Sequence, residues 1–203
     1  MNDEDLQENE RIQYYHIDCP VLVTDRLVLR LPHIEDIDAI ADLANNKRVS
    51  AMLAKMPYPF LRGQAVEFVK RACEGNMGYC VYAITLGETG AFIGCCGVQD
   101  RDDNQGTEII CWLGEPYWGQ GYGTEAVNAL IDVAFRATNI DELYVSCLKS
   151  NTAGRRVLQK SGFHCFKTTD ELRDMPGAVV EHYMLDRVHW ISLRSLQPGA
   201  ARI

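Results

Sequence analysis

The segment Pro116–Phe135, PYWGQGYGTEAVNALIDVAF, places three glycines at alternate positions directly before a strongly helical stretch. These glycines are Gly119, Gly121 and Gly123. An apolar run ending at Leu113 precedes them, and helical character begins near Thr124. Because glycine has no Cβ atom, a ligand can approach the main chain there, and the amide N–H groups can converge on an anion at the positive end of the helix dipole. The pattern predicts a phosphate- or pyrophosphate-binding loop between a strand and a helix.

The surroundings of the loop argue against an ordinary surface turn. The helix behind it carries an apolar stripe at the spacing of a buried face: Val127, Leu130, Ile131 and Ala134. A P-loop would continue with Lys and Ser/Thr after its last glycine, whereas Thr124 and Glu125 stand here. The dinucleotide-binding fingerprint needs Gly or Ala at the position of Thr124. Both of these phosphate-binding motifs are therefore excluded.

Two neighbouring strings carry a family resemblance. Residues 108–113 read EIICWL, and residues 117–126 read YWGQGYGTEA. Together they resemble the acyl-CoA loop of the GCN5-related N-acetyltransferases (GNAT), in particular the branch of the RimJ and RimL ribosomal-protein N-acetyltransferases, which typically reads E-I-G-Y-x-L-x-x-x-Y-W-G-x-G-Y-x-T-E-A. A T-x-R-L-x-L-R string at residues 24–30 resembles the first strand of the same branch. Residues 151–163, NTAGRRVLQKSGF, resemble the second family signature, N-x-x-S-x-x-x-x-x-K-x-G-F.

Composition indicates one globular domain. The 203 residues are 47% hydrophobic, which is enough for a substantial core. We expect a flexible leader at residues 1–18, a single acetyltransferase domain at residues 19–190 and a tail at residues 191–203. The net charge of −8 disfavours nucleic acid and suits a cationic substrate or a solvated acidic surface. No apolar run reaches a membrane span and the first residues lack a signal-peptide pattern, so we expect a cytoplasmic protein with no membrane partner.

The eight cysteines are interpreted as thiols of a cytosolic protein, and most stand singly in apolar strings. Those in apolar strings include Cys80, Cys111, Cys147 and Cys165, and one neighbouring pair occurs, Cys95 and Cys96. No spacing of Cys and His typical of a zinc site occurs, so no metal is expected. A cysteine nucleophile at Cys147 or Cys111 is an alternative, but it would need a base that the sequence does not identify.

Periodicity predicts the other elements. Residues 21–31 alternate as a half-buried strand, which Pro32 ends. Helices are expected at residues 34–45 and 63–74, the second with Val66, Val69 and Ala72 inward. Further strands are expected at residues 78–85, 91–98, 107–113, 142–148, 163–168 and 179–188, and another helix at residues 151–161. The pattern gives a mixed α+β class, and the resemblance implies the GNAT fold, with about seven mostly antiparallel strands, splayed central strands and about four helices.

The resemblance also implies where acetyl-CoA, the cosubstrate, binds. The strands at residues 107–113 and 142–148 splay apart, and unpaired backbone groups in the opening can bond the pantetheine amides as a further strand would. Pantetheine and thioester would contact the backbone at Cys111, Trp112 and Leu113. The amides of the loop would bind the pyrophosphate: Gly119, Gln120, Gly121, Tyr122, Gly123 and Thr124. Asn151 would contact the pantetheine or simply cap its helix, and Arg155 or Arg156 would meet the 3′-phosphate or lie on an exposed basic face.

Acyl transfer to an amine requires a base, because α-amino and lysine amino groups are mostly protonated at neutral pH. Glu108, at the start of the strand that lines the cleft, is the predicted catalytic base, acting through a water. Glu125 is the second candidate, although an acidic residue is favoured in a first helical turn for structural reasons. The chain departs from the family pattern at two positions. Many relatives have serine where Gly154 stands, and others have a tyrosine that acts as the general acid where Leu158 stands. The acid would then be Tyr144, Ser146 or water.

The predicted function is an acetyl-CoA-dependent N-acetyltransferase that modifies a primary amine, with a protein N-terminal α-amino group as the preferred acceptor. Alternatives are a polyamine or aminoglycoside-like amine as acceptor, a catalytically silent acyl-CoA-binding protein, or an interaction protein that uses its acidic surface. The loops at residues 55–63 and 170–177 would shape the acceptor site. The expected assembly is a monomer or homodimer.

Overall fold

The computed structural model describes residues 19–53, 56–75, 80–101, 106–170 and 177–195. The strands in these ranges are β1 (Leu22–Val23), β2 (Leu27–Arg30), β3 (Cys80–Leu86), β4 (Phe92–Asp100), β5 (Thr107–Leu113), β6 (Glu142–Leu148), β7 (His164–Thr169) and β8 (Val180–Asp186). The α-helices are α1 (Ile37–Ala44), α2 (Lys47–Ser50), α3 (Arg62–Cys73), α4 (Tyr122–Ala137), α5 (Thr152–Lys160) and α6 (Arg187–Ser195). Short 3₁₀ turns cover Ile34–Asp36 and Glu115–Tyr117.

The eight described strands form one sheet in the order β1-β2-β3-β4-β5-β6-β8-β7. Neighbouring strands are antiparallel except for β5 and β6, which run parallel. The α4 helix crosses between these two strands, as a parallel connection requires. The predicted α+β class, the strand limits at residues 107–113 and 142–148, and the antiparallel final pair are confirmed.

Both faces of the sheet are covered at β3 and β4, which explains why these two strands are buried along most of their length. The apolar stripe of α4 packs on one face against residues such as Ile109 and Leu143, as the periodicity predicts. On the other face, Ile40 of α1 and Val69 of α3 pack against the side chains of Ala83 and its neighbours. Alternation along the strands divides them between these two clusters. The sheet therefore has one face towards α4 and one towards α1 and α3.

Some local predictions were wrong. The expected single strand at residues 21–31 is two strands, because the amide of Thr24 bonds the carbonyl of Leu27 at 2.9 Å and closes a tight turn between them. In α3, Val69 and Ala72 are buried as predicted, but the third inward residue is Ala65, and Val66 is 39% exposed. The final strand ends at Asp186, and α6 begins directly after it and runs across residue 190, with Trp190 packed on Phe135 at 5.2 Å.

The interpretation of Cys80 as a thiol was also wrong. Cys80 forms a disulfide with Cys19, 61 positions earlier, and the two Cα atoms are 5.6 Å apart. That separation lies within the usual range for a disulfide. The other six cysteines are free. Assignment from the local apolar setting of each cysteine fails here because the pairing depends on how the chain before β1 approaches the start of β3.

The described helices include none that is long and apolar enough to cross a membrane. The predicted leader at residues 1–18, parts of the loops at residues 55–63 and 170–177, and the end of the predicted tail beyond residue 195 lie outside the described residues.

Candidate active site

The parallel strands β5 and β6 separate shortly after they begin. Both are seven residues long, yet they pair only at Thr107 with Leu143 and at Glu108 with Tyr144. Each keeps its other neighbour along its full length, β5 with β4 and β6 with β8. The facing edges of β5 and β6 beyond these pairs therefore border an opening, which is the splay that the resemblance implies.

The glycine loop lies between β5 and α4 and presents amide groups without internal partners. Trp118 closes its near end by donating from Nε1 to the carbonyl of Leu113 at 2.7 Å. At the far end of the loop, the amide of Glu125 donates to the carbonyl of Gly121 at 3.1 Å. Within the described part of the chain, the intervening amides of residues 119–124 donate to no other group. Six unbonded amides at the positive end of a 16-residue helix form a site for an anion.

The glycine positions leave room for a ligand. Gly119 and Gly121 have φ values of +74° and +85°, which side-chain-bearing residues rarely adopt. A Cβ atom at Gly119 would meet no protein atom within 4 Å, so that part of the backbone is open. Access of this kind fits a pyrophosphate, whose oxygens need close contact with several amides at once. The predicted loop residues, from Gly119 to Thr124, are thus brought together, and their role in cofactor binding stays a prediction.

The strand end that was predicted to receive the thioester borders the opening. Cys111, Trp112 and Leu113 are half-buried at the end of β5. Trp112 packs towards α1 and α3, with its ring 6.1 Å from that of Phe92. Burial raises the pKa of Cys111 to about 12 and that of Cys147 to about 11, so both thiols are protonated at neutral pH. This disfavours the alternative of a cysteine nucleophile, since the thiolate is the reactive form.

Glu108 is half-buried at the closed end of the splay. Its neighbours Thr107 and Ile109 are buried on the α4 side, so alternation turns Glu108 to the other face. It pairs there with Tyr144, whose hydroxyl donates to Glu142 and whose ring lies under Arg101 at 4.4 Å. These contacts direct the Tyr144 hydroxyl towards the start of β6, away from the opening. Of the two acids proposed from sequence, Ser146 is the one beside the opening.

Ser146 belongs to a polar chain that sequence reasoning missed. Its hydroxyl is 3.2 Å from Nδ1 of His182 on β8, and Nε2 of His182 is 3.0 Å from the hydroxyl of Thr169 on β7. The ring of Phe166 lies beside both His182 and Tyr144. Three strands contribute to this chain, and they are distant in sequence. A histidine within a strand that also carries Val180, Tyr183 and Leu185 was the available signal, but its partners could not be identified without the register.

The contacts of Glu125 disfavour it as a base facing the acceptor. One carboxylate oxygen accepts from the Thr24 hydroxyl at 2.6 Å and the Arg26 amide at 2.8 Å, and the other accepts from the Arg26 guanidinium at 2.8 Å. Burial alone would raise the pKa of Glu125, but these hydrogen bonds outweigh it and lower the pKa. A carboxylate with its oxygens occupied and a lowered pKa is a poor proton acceptor at neutral pH.

Asn151 caps α5, which is one of the two roles expected for it. Its side-chain oxygen accepts from the amide of Gly154 at 2.8 Å. A Cβ atom at Gly154 would lie 2.8 Å from Nδ2 of Asn151, so a serine there would require the Asn151 amide group to shift. Nδ2 donates to no described group, which leaves it available for the predicted pantetheine contact. Leu158 is a buried core residue and supplies no proton.

Arg155 and Arg156 have different surroundings. Arg155 donates from Nε to buried Glu181 at 2.7 Å, and Tyr183 donates to the same carboxylate oxygen at 2.6 Å. The hydrogen bond from Tyr183, followed by that from Arg155, lowers the pKa of Glu181. Arg155 is thus half-buried and bound to Glu181, whereas Arg156 is exposed. The exposed Arg156 is the better placed of the two to meet a 3′-phosphate, and this role stays a prediction.

An open cavity of about 380 Å³ lies at the far end of β6. Its lining residues are Ala51, Leu148, Lys149, Ser150, Gly177, Ala178 and Val179. The cavity therefore lies between the residue that follows α2, the end of β6 and the approach to β8.

A splayed parallel pair beside a glycine loop with free amides is the site of an enzyme that transfers an acyl group from a CoA thioester. Residues 26–164 match the family described as acetyltransferase (GNAT) domain, and the chain belongs to this family. It is an N-acetyltransferase with acetyl-CoA as its cosubstrate, as the resemblance implied.

Several known proteins are similar over most of the chain. The uncharacterized N-acetyltransferase p20 of Bacillus licheniformis is 27% identical over 168 residues, which cover 80% of this chain and 93% of that protein. The structure of spermidine N-acetyltransferase from Vibrio cholerae, in complex with CoA and spermine, has a TM-score of 0.70 at 16% identity, covering 83% of this chain and 99% of that one. RimL, a ribosomal L7/L12 α-N-protein acetyltransferase in complex with CoA, has a TM-score of 0.69 at 19% identity, covering 82% and 97%. The two structures share the fold with this chain.

Proposed function

We propose that the protein acetylates the N-terminal α-amino group of a protein or peptide in the cytoplasm, in the manner of the RimJ/RimL branch. The observation that carries the choice of acceptor is the cavity at the end of β6. It is open, and its described lining includes no carboxylate while Lys149 adds a positive charge. A polyamine with several positive charges would need carboxylates there. A peptide N-terminus carries a single amine and does not need several carboxylates around it.

Acid–base considerations favour the same acceptor. An α-amino group has a pKa of about 8, so about a tenth of it is neutral at pH 7, whereas a lysine-like amine with a pKa of about 10.4 is almost wholly protonated. The α-amine therefore requires less of the base. Glu108 is the proposed base, placed at the closed end of the splay on the face opposite α4. Glu108 pairs with Tyr144, and the cavity begins at Leu148, about 13 Å further along β6, so a chain of waters would carry the proton from the ammonium to the carboxylate.

The reaction then follows from the residues around the opening. The neutral amine attacks the thioester carbonyl, a C–N bond forms, and the C–S bond breaks when the tetrahedral adduct collapses. The amine loses a proton in this sequence and the departing thiolate gains one. Ser146 stands at the opening and His182 joins it to Thr169. An imidazole between two hydroxyls keeps both hydrogen bonds in its neutral and protonated forms, because a hydroxyl can donate or accept. We assign these residues to returning the proton.

The test is release of free CoA from acetyl-CoA in the presence of ribosomal-protein N-terminal peptides, with N-terminally blocked copies of the same peptides as controls. Turnover of the free peptides and none of the blocked ones is the expected result. Turnover of spermidine or spermine with no response to peptides would replace the α-amine by a polyamine. Binding of acetyl-CoA without turnover of any amine would favour a catalytically silent protein.

A further inference from the structure

Arg26, in the turn between β1 and β2, contacts the glycine loop with its guanidinium group. Nε and NH2 lie 2.8 and 2.7 Å from the same carboxylate oxygen of Glu125, and NH1 donates to the backbone carbonyl of Gln120 at 2.9 Å. The guanidinium also covers the ring of Tyr122 at 4.6 Å from its centroid. One side chain thus joins the middle of the loop to the first turn of α4.

Glu125 fixes the position of this guanidinium. Its second oxygen is bonded by the hydroxyl of Thr24 and by the backbone amide of Arg26. The hydroxyl of Thr24 in turn accepts from the amide of Leu27 at 3.0 Å, inside the tight turn. The carboxylate is therefore bound to the β1–β2 turn as well as to the side chain, although Arg26 itself is 48% exposed. Partners on both sides give the guanidinium one preferred geometry, which an exposed arginine otherwise lacks.

The bond to the carbonyl of Gln120 determines where the next amide points. In a trans peptide the C=O and the following N–H are directed to opposite sides of the chain. Holding the Gln120 carbonyl towards Arg26 therefore turns the N–H of Gly121 the other way, into the set of unbonded amides. The peptide plane lies between Gly119 and Gly121, both at positive φ, and glycines leave such a plane free to rotate unless something holds it.

From these contacts we infer that Arg26 is a positioning residue for the acetyl-CoA donor site: clamped by Glu125 and Thr24, it orients the glycine loop so that its amides converge on the pyrophosphate. The inference rests on the donor site proposed above. It gives Glu125 a role in cofactor affinity instead of proton transfer. It also accounts for Thr24 and Arg26, which no part of the proposed reaction uses.

A purely electrostatic role of Arg26 makes different predictions from a clamp. If only positive charge near an anion mattered, Arg26→Lys would bind CoA as the parent does. A lysine has one ammonium, which cannot bond Glu125 and the Gln120 carbonyl in the same fork, so the clamp predicts loss of affinity. Glu125→Gln distinguishes the electrostatic role from the clamp, because the two roles predict opposite changes in CoA affinity. Removing a negative charge from the first turn of α4 strengthens anion binding by electrostatics alone, whereas releasing the guanidinium weakens it.

The experiment is calorimetric titration of the full chain with CoA. We expect Arg26→Ala, Arg26→Lys and Glu125→Gln each to weaken binding roughly tenfold, as for loss of one charge-assisted hydrogen bond. Arg194→Ala is the matched control. It removes another arginine–carboxylate bond to α4, from Nε of Arg194 to Asp132 at 2.7 Å, on a part of the helix away from the loop. It should lower the melting temperature without changing CoA affinity.

Unchanged affinity in Arg26→Ala, full affinity in Arg26→Lys, or tighter binding in Glu125→Gln would each overturn the inference. If the Arg26 variants do not fold, Thr24→Val decides, since it removes a single donor to Glu125 and should still weaken CoA binding measurably. No binding of CoA by the parent would instead refute the donor site itself, so the two failures can be told apart.

Discussion

Replacing Gly119 by alanine tests whether the glycine loop binds the cofactor through its backbone. Gly119 has a φ of +74°, and a Cβ atom there meets no protein atom within 4 Å. The only cost to the free protein is backbone strain, about 1–2 kcal/mol for an L-residue in the left-handed region. The added methyl group would stand on the open side of the loop, where it keeps an anion from the neighbouring amides. The variant should fold and lose affinity for acetyl-CoA.

Gly90→Ala is the matched control. Gly90 lies in the β3–β4 turn with a φ of +71°, and a Cβ atom there also meets nothing within 4 Å. Both variants should therefore melt about 2–8 °C below the parent, since about 1 kcal/mol corresponds to roughly 2–4 °C in a domain of this size. The strain is the same in the two positions, and only one of them faces the cofactor. Any difference between the variants reports on the ligand.

The assay is thermal unfolding with and without acetyl-CoA. At a hundredfold excess over the dissociation constant, binding should stabilise the parent by about 2.7 kcal/mol, which is a rise of about 5–11 °C. Gly90→Ala should keep this rise and Gly119→Ala should lose at least half of it. An equal rise in both variants would refute the argument that the backbone at Gly119 contacts the cofactor.

Three further substitutions test the site and the fold. Glu108→Gln should keep cofactor affinity and lower turnover by roughly 10²–10⁴-fold at pH 7, with a deficit that shrinks towards pH 9 as neutral α-amine becomes available; parent-like turnover at pH 7 would show that Glu108 is structural. Leu158→Ala should lower the free energy of unfolding by about 2–5 kcal/mol and leave the pH profile of turnover unchanged, and a shifted profile would contradict its placement in the core. The carboxylate of Asp36 accepts hydrogen bonds from Arg30 at 2.7 and 2.8 Å. Burial alone would raise the pKa of Asp36, but the hydrogen bonds outweigh burial and the pKa is lowered. The ionised form therefore stabilises the fold above about pH 4, and this stabilisation is lost on acidification. Asp36→Asn should therefore be less stable than the parent by about 1–3 kcal/mol at pH 7 and should melt at a lower temperature. The difference in stability should narrow below pH 4, and a difference that stays constant with pH would show that the carboxylate is not involved.

Alternation and helical spacing in the sequence correctly predicted the elements that are determined by neighbouring residues. The limits of β5 and β6 and the buried stripe of α4 follow from alternation and helical spacing, which act over a few residues. The glycine loop was predicted for the same reason, since its strand, glycines and helix are consecutive. The prediction of one strand at residues 21–31 was wrong because the hydroxyl and the amide of Thr24 both bond the carbonyl of Leu27 and close a turn, which alternation does not reveal.

Contacts between distant residues could not be predicted in this way. Arg26 and Glu125 are 99 positions apart, and Ser146 and His182 are 36 apart. Each of these residues is unremarkable in its own segment, and only the register of the sheet brings it to its partner. Glu125 was the second candidate for the base, with a structural role favoured by its place in the first helical turn, and its carboxylate is held by Thr24 and Arg26. Two of the strings that carry the resemblance, residues 24–30 and 117–126, are therefore in contact.

The absence of a side-chain acid at Gly154 and Leu158 does not by itself argue for a silent protein. A thiol has an ordinary pKa of about 8.5, so a thiolate leaves from a tetrahedral adduct near neutral pH without first being protonated. The amine, with a pKa of about 8, must lose its proton before attack, and the demand for a base is therefore stricter than the demand for an acid. Glu108, as the proposed base, would meet the first demand, and the hydroxyl of Ser146, joined to His182, would return the proton to the thiolate. Loss of the usual acid should accordingly reduce the rate of the reaction without abolishing it.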